Sequence, residues 1–226
     1  MRLRVAGLLA VAWSAVPAAS GLLQPSAPAP RIALLVDTSD SMTTHVPFRR
    51  GDRTLLTEAG LALAGALRPD ELVSVDSFGP AITVSPPQLR RDDIAAAAAA
   101  LNEHTGGTSP LWDALDAAVR TLDGASGHRG IIVVTDGRTT GNTLSFHEIL
   151  QRLEQARVPV FFLCAERPKQ AKLADPSVRL RQIAAATRGE YYGIGTYSGF
   201  TKPKPDEIRR AMHHALDAIR KEVPPG

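Results

Sequence analysis

The sequence predicts an α/β fold: a doubly wound, Rossmann-like, mostly parallel six-stranded sheet with one antiparallel edge strand and helices on both faces. Three observations predict it. Short, wholly apolar runs at residues 32–36 and 131–134 read as strands buried on both faces, which only a parallel sheet covered by helices provides. Segments with apolar residues spaced by three or four alternate with these runs. The connections between them are short and carry Gly, Pro, Ser or Asp.

In chain order, residues 1–20 read as a secretory signal. Arg2 and Arg4 precede an apolar segment at 5–16, and Ala18, Ala19 and Ser20 supply the small residues a signal peptidase needs. The apolar segment is short for a bilayer span, so cleavage after 18–20 is expected, with a retained N-terminal anchor as the alternative. Residues 21–30, with Pro25, Pro28 and Pro30, read as an extended leader. The domain is expected over 31–222, and residues 223–226 as a fraying tail. A periplasmic or extracellular location follows, with no stable membrane span after cleavage.

The chain carries 26 basic and 23 acidic residues. Without Arg2 and Arg4, 24 basic residues face 23 acidic ones, a balance that argues against nucleic acid as a partner. Cys164, the single cysteine, allows no intramolecular disulfide and ends a strand-like run at 158–164, where a buried, inert thiol is expected. Export without a disulfide suits a bacterial protein.

The first strand ends in Asp37, and Ser39 and Ser41 follow at alternate positions. A carboxylate and two hydroxyls on a turn leaving a buried strand can converge beyond the strand end, where ligands sit in open α/β sheets. All-oxygen donors suit a hard divalent cation, Mg²⁺ before Mn²⁺ or Ca²⁺, and do not suit zinc. A polar, Arg-rich loop is expected at 43–53, and a helix over 54–67 with Leu55, Ala59, Leu63 and Leu67 on one face, closed by Pro69. Residues 71–78 form the second strand, and 81–84 pair back onto it as the antiparallel edge after the Gly79-Pro80 turn. The alanine run at 95–100 predicts a closely packing helix over 92–103.

Gly106-Gly107 break that helix, and Ser109 as N-cap with Pro110 at the first helical position starts the next. Residues 131–135 are the next strand, ending in Asp136. Ser145 with Glu148 predicts a capping box for a helix over 146–156. A strand at 158–163, a helix at 177–187, a short strand at 190–192 and a terminal helix over 206–221 complete the order.

These segments together resemble the von Willebrand factor type A domain. Asp37-Thr-Ser39-Asp-Ser41, Gly106-Gly107-Thr108 and Val133-Val134-Thr135-Asp136-Gly137 resemble, in order and spacing, the three segments of that family's metal-ion-dependent adhesion site. Residues 68–73 leading to Ser77-Phe78, and 183–184 leading to 187–192, are similar away from the metal. The resemblance implies that Ser39, Ser41 and Thr108 would coordinate Mg²⁺ directly, and that Asp37 and Asp136 would act largely through bound water. It also implies a coordination position left for an Asp or Glu of a partner protein, as in the family's adhesive members, and no enzymatic activity.

The chain departs from the family pattern at Asp40 and Arg188, where glycine is usual. Asp40 is expected to cap the turn or face solvent. Arg49, Arg50, Arg53 and Arg138 lie on loops at the same end and would offset its repulsion of an acidic partner. His45, His104 and His147 lack ligand spacing, the adjacent His213 and His214 face apart on a helix, and Trp112 is expected to pack beneath the metal loop. Two other functions compete. Asp37 at a strand end could serve a metal-dependent phosphotransferase or hydrolase, although Ser39 stands where a dehalogenase-like site needs a second Asp. Alternatively the metal could merely stabilise a structural domain.

Overall fold

The computed structural model describes residues 29–45, 55–101, 106–125, 127–165, 175, 177–195 and 203–222. The segments expected as signal (1–20) and tail (223–226), most of the expected leader, and Arg49, Arg50, Arg53 and His104 lie outside the described residues.

Six strands and seven helices are described: β1 Arg31–Asp37, α1 Asp40–His45, α2 Leu55–Ala66, β2 Leu72–Phe78, β3 Ile82–Thr83, α3 Arg91–Ala100, α4 Leu111–Leu122, β4 Arg129–Thr135, α5 Phe146–Ala156, β5 Val160–Ala165, α6 Ser177–Ala186, β6 Tyr191–Ile194 and α7 Pro205–Lys221. The sheet order is β3-β2-β1-β4-β5-β6, with β3 antiparallel to β2 and every other pairing parallel. The predicted doubly wound architecture is therefore the observed one.

Alternation along β1 divides the interior into two cores. Ile32, Leu34 and Val36 face one side, with Leu55, Ala59 and Leu63 of α2, Ile94 of α3 and Met212 and Leu216 of α7. Ala33 and Leu35 face the other, with Leu111, Trp112 and Leu115 of α4, Ile149 of α5 and Ile183 of α6. Both faces of β1 are dry, which is why its sequence shows no polar alternation. The alanine run packs as expected: a Cβ on Gly60 of α2 would lie 2.4 Å from the Ala98 Cβ of α3. Only an approach between small residues permits that spacing.

Three expectations shift. The polar segment expected from residue 43 begins instead as the short helix α1, started by Asp40 and anchored by buried Met42, whose N–H donates to the Ser39 carbonyl at 3.0 Å. An acidic residue in the first turn favours that helical start. β5 runs 160–165 rather than 158–163 because Pro159 lacks an N–H and offers only its carbonyl, to Ile131 N at 2.9 Å. Ser109 does not cap α4: Pro110 takes the N-cap position with no side-chain bond, and the Ser109 hydroxyl is engaged elsewhere. The Ser145–Glu148 capping box forms in full.

Arg188 adopts φ +61° just beyond α6, and Gly189 N donates to the Ala184 carbonyl at 2.8 Å. The departure from glycine at 188 thus falls at a left-handed helix end. Cys164 is buried in β5, as its strand-like surroundings predict.

Candidate metal centre

The strand order reverses direction at β1, which lies between β2 and β4. At such a reversal the connections leave toward opposite faces and open a crevice beyond the strands' carboxyl ends. Asp37 is the last residue of β1, and Asp136 immediately follows β4. Both carboxylates therefore reach the crevice from adjacent strands, and both are buried, at 0% and 2% exposure.

Asp37 joins all three loop segments. Its Oδ1 accepts the Ser39 N–H at 3.0 Å. Its Oδ2 accepts the Thr135 hydroxyl at 2.7 Å and the Ser109 hydroxyl at 3.1 Å. Ser109 Oγ also lies 2.8 Å from the Arg138 carbonyl, so its single proton is shared between two acceptors and the hydroxyl links the second and third segments as well. Thr135 Oγ1 accepts the Gly137 N–H at 3.0 Å, and Asp136 Oδ1 accepts the Arg138 N–H at 3.0 Å. The turn after Asp136 is thereby fixed by the side chains that precede it.

Ser39 is buried and its hydroxyl lies 3.1 Å from that of half-buried Ser41, so the two alternate hydroxyls converge. Thr108 is exposed. Its segment is attached on both sides, by Gly106 N donating to the Thr38 carbonyl at 2.8 Å and by Ser109 to Asp37. Asp40 is exposed, and its Oδ1 would lie 3.3 Å from a Cβ on Gly106, so the carboxylate leans over the second segment. Arg138 is exposed on the loop beyond Asp136. Trp112 packs in the second core beside Phe146, ring centres 5.6 Å apart.

Burial pushes the Asp37 carboxyl up from 3.8 to about 6; hydrogen bonds from Ser39 and Thr135 pull it down in part, and the charge of Asp136 pushes it up. Among the described residues every hydrogen-bond donor to Asp37 is neutral. A buried carboxylate with neutral donors and a second carboxylate beside it lacks a compensating positive charge. Hard divalent cations fit this oxygen-rich chemistry. Among the described residues no cluster of three or more His, Cys, Asp or Glu side chains could hold a metal, so hydroxyl oxygens are needed to complete any site here.

Two residues beyond the sequence-derived set hold the centre together. Thr135 hides at the end of an apolar run, and Ser109 looks locally like a helix cap. Only the β1–β4 pairing, which aligns Val36 with Val134, brings Thr135 level with Asp37.

Comparison with known proteins agrees with this topology. An aerotolerance-related membrane protein from Bacteroides fragilis NCTC 9343, solved with multiple mutations to serines, is similar in structure at 15% identity and TM-score 0.64, over 85% of this chain and 99% of that one. BatB from Bacteroides thetaiotaomicron matches at 14% and 0.63, over 85% and 99%. The pilus adhesin SpaC from Lactobacillus rhamnosus GG matches at 14% and 0.60, over 87% of this chain and 31% of that one. At these identities the likeness is one of fold. No curated protein matches in sequence. The sequence pattern of the von Willebrand factor type A domain, by contrast, matches residues 32–203. With its sheet order and most of its length accounted for in this way, the chain belongs to the von Willebrand factor type A domain family.

Proposed function

We propose that this protein is an exported, non-enzymatic module that binds a partner protein through a divalent metal ion, in keeping with a family of protein-interaction and adhesion domains. Asp37, Ser39, Ser41, Thr108 and Asp136 would hold the ion, Mg²⁺ before Mn²⁺ or Ca²⁺. When bound, the ion would supply an electrophilic position for an Asp or Glu of the partner. The observation carrying this reading is the Asp37 carboxylate, fully buried beside Asp136 and held, among the described residues, by neutral donors alone.

The chain's own residues have separable roles in it. Ser109 and Thr135 orient Asp37, Ser39 and Ser41 present hydroxyls from one turn, and exposed Arg138 adds positive charge that favours an acidic partner. A phosphotransferase is less well supported, because Ser39 stands two residues after Asp37, where a dehalogenase-like site needs a second Asp. Export is supported by the 1–20 segment and is in line with two structural neighbours, one described as a membrane protein and one as a pilus adhesin. Among the described residues no helix is long and apolar enough to cross a membrane.

Calorimetric titration with Mg²⁺ tests the metal. Wild type should bind, Asp37→Ala and Asp136→Ala should not, and equal responses in all three would refute the site. Capture of partners with and without EDTA tests the function. Identical captured sets would favour a metal that only stabilises the domain.

A further inference from the structure

The exposed Thr108 needs something to fix its hydroxyl, and the structure places one glycine directly against it. Gly141 sits at φ +73° in the loop after β4, where an added Cβ would lie 2.9 Å from Thr108 Cβ and 3.0 Å from both Cγ2 and Oγ1. The first of these is closer than real Cβ contacts essentially ever are and the other two are tight, so a side chain at 141 forces Thr108 or the 141 loop to shift. The two loops are also bonded on either side of this contact. Ser109 N donates to Thr140 Oγ1 at 3.1 Å, and Thr140 N donates to the Ser109 carbonyl at 2.9 Å. Beyond it, Trp112 N donates to Asn142 Oδ1 at 2.7 Å, and Asp113 accepts Thr143 N and Leu144 N at 2.7 and 2.9 Å.

We propose that Gly141 and Thr140 are positioning residues for the metal site: the loop carrying Asp136 forms the seat that orients Thr108, so the second and third segments move as one body. The inference rests on the metal-site reading above and adds residues that touch no ion. It also explains why an exposed threonine could serve as a ligand. Neighbours that orient ligands are worth roughly ten- to a hundredfold in metal affinity.

The experiment is Mg²⁺ titration of the full chain by calorimetry, with melting in EDTA as the measure of folding. Gly141→Ala should weaken Mg²⁺ binding by roughly ten- to a hundredfold. The control is Gly124→Ala, at φ +69° with open space around its Cβ, which carries the same backbone strain without the overlap and should change affinity by no more than about twofold. In a Thr108→Gly background, which removes both the hydroxyl and the Cβ that the new methyl would meet, Gly141→Ala should cause no further loss. Binding by Gly141→Ala equal to that of Gly124→Ala, or a full additional loss on top of Thr108→Gly, overturns the inference. Should Gly141→Ala fail to melt cooperatively, Thr140→Val decides. It removes the acceptor of Ser109 N at an exposed position, and roughly tenfold weaker binding supports the seat while unchanged binding overturns it. A wild type that takes no Mg²⁺ overturns the metal reading itself, a result distinct from a metal-binding wild type with an indifferent Gly141→Ala.

Discussion

Replacing Asp37 with asparagine should stabilise the metal-free protein at neutral pH while abolishing its response to Mg²⁺. In the folded state the Asp37 carboxyl is raised from 3.8 to about 6, chiefly by burial. Because the folded value lies above the unfolded one, the stability this group allows is fully present below about pH 3.8 and is lost as pH rises through about 6. At roughly 1.36 kcal/mol per unit, ionised Asp37 costs the metal-free fold about 3 kcal/mol at pH 7. Asparagine keeps the shape and carries no charge, so Asp37→Asn should gain up to about 3 kcal/mol in EDTA, or about 6–12 °C in Tm for a domain of this size. The hydroxyls of Thr135 and Ser109 can turn to accept from the new amide. The difference should shrink toward zero by about pH 4. Excess Mg²⁺, at about a hundred times its Kd, should add about 2.7 kcal/mol to wild type and nothing to the variant, nearly closing the gap. Thermal melts followed by circular dichroism from pH 4 to 8, in EDTA and in Mg²⁺, measure all of this. A variant less stable than wild type in EDTA at pH 7, or one stabilised equally by Mg²⁺, would refute the reasoning.

Other predictions fall away from the metal. Arg220 makes a two-point ion pair with fully buried Glu71, 2.7 Å at each contact, at the end of the sheet opposite the candidate site. Arg220→Ala leaves that carboxylate buried and unpaired and should cost about 3–5 kcal/mol by urea denaturation, with Mg²⁺ affinity unchanged. Arg188→Gly should relieve the left-handed backbone strain and raise stability by about 1 kcal/mol, since the ion pair of exposed Arg188 with half-buried Glu222 is long, at 3.8 Å, and contributes little; a fall in Tm would count against it. Ser145→Ala removes the side-chain half of the α5 capping box, leaving the backbone N–H of residue 145 on Glu148, and should cost about 1 kcal/mol, with faster hydrogen exchange confined to the first turn of α5.

The fold was legible because its signals are local. Residues 32–36 and 131–134 are apolar throughout since helices cover both faces, and each strand ends in an aspartate because it emerges at the crevice. The errors in the elements arise where two local rules compete. Pro159 belongs to an apolar run yet cannot join the ladder, and the segment at 40–45 is polar yet carries Met42 into the core.

The centre divides along a different line. Residues offered as ligands stand in short motifs at strand ends and can be found by reading along the chain. The residues that hold those ligands cannot, because each acts across the sheet. Ser109 reaches Asp37 over 72 positions and Thr135 over 98, and neither separation leaves any periodic trace in sequence. Ser109 is the instructive case. A serine before a proline and an apolar helix satisfies every local rule for a cap, yet its hydroxyl turns to Asp37 and the Arg138 carbonyl. A cap bond would serve backbone N–H groups that already have partners, since Leu111 N donates to the Ser109 carbonyl at 2.9 Å and Trp112 N to Asn142 Oδ1 at 2.7 Å, whereas Asp37 is buried where water cannot substitute, so the lost bond there costs more. The same reasoning ranks what a variant disturbs. Changes at Ser109 or Thr135 should loosen all three segments together, because one carboxylate gathers them, while changes at Ser41 should remove a donor and leave the assembly intact.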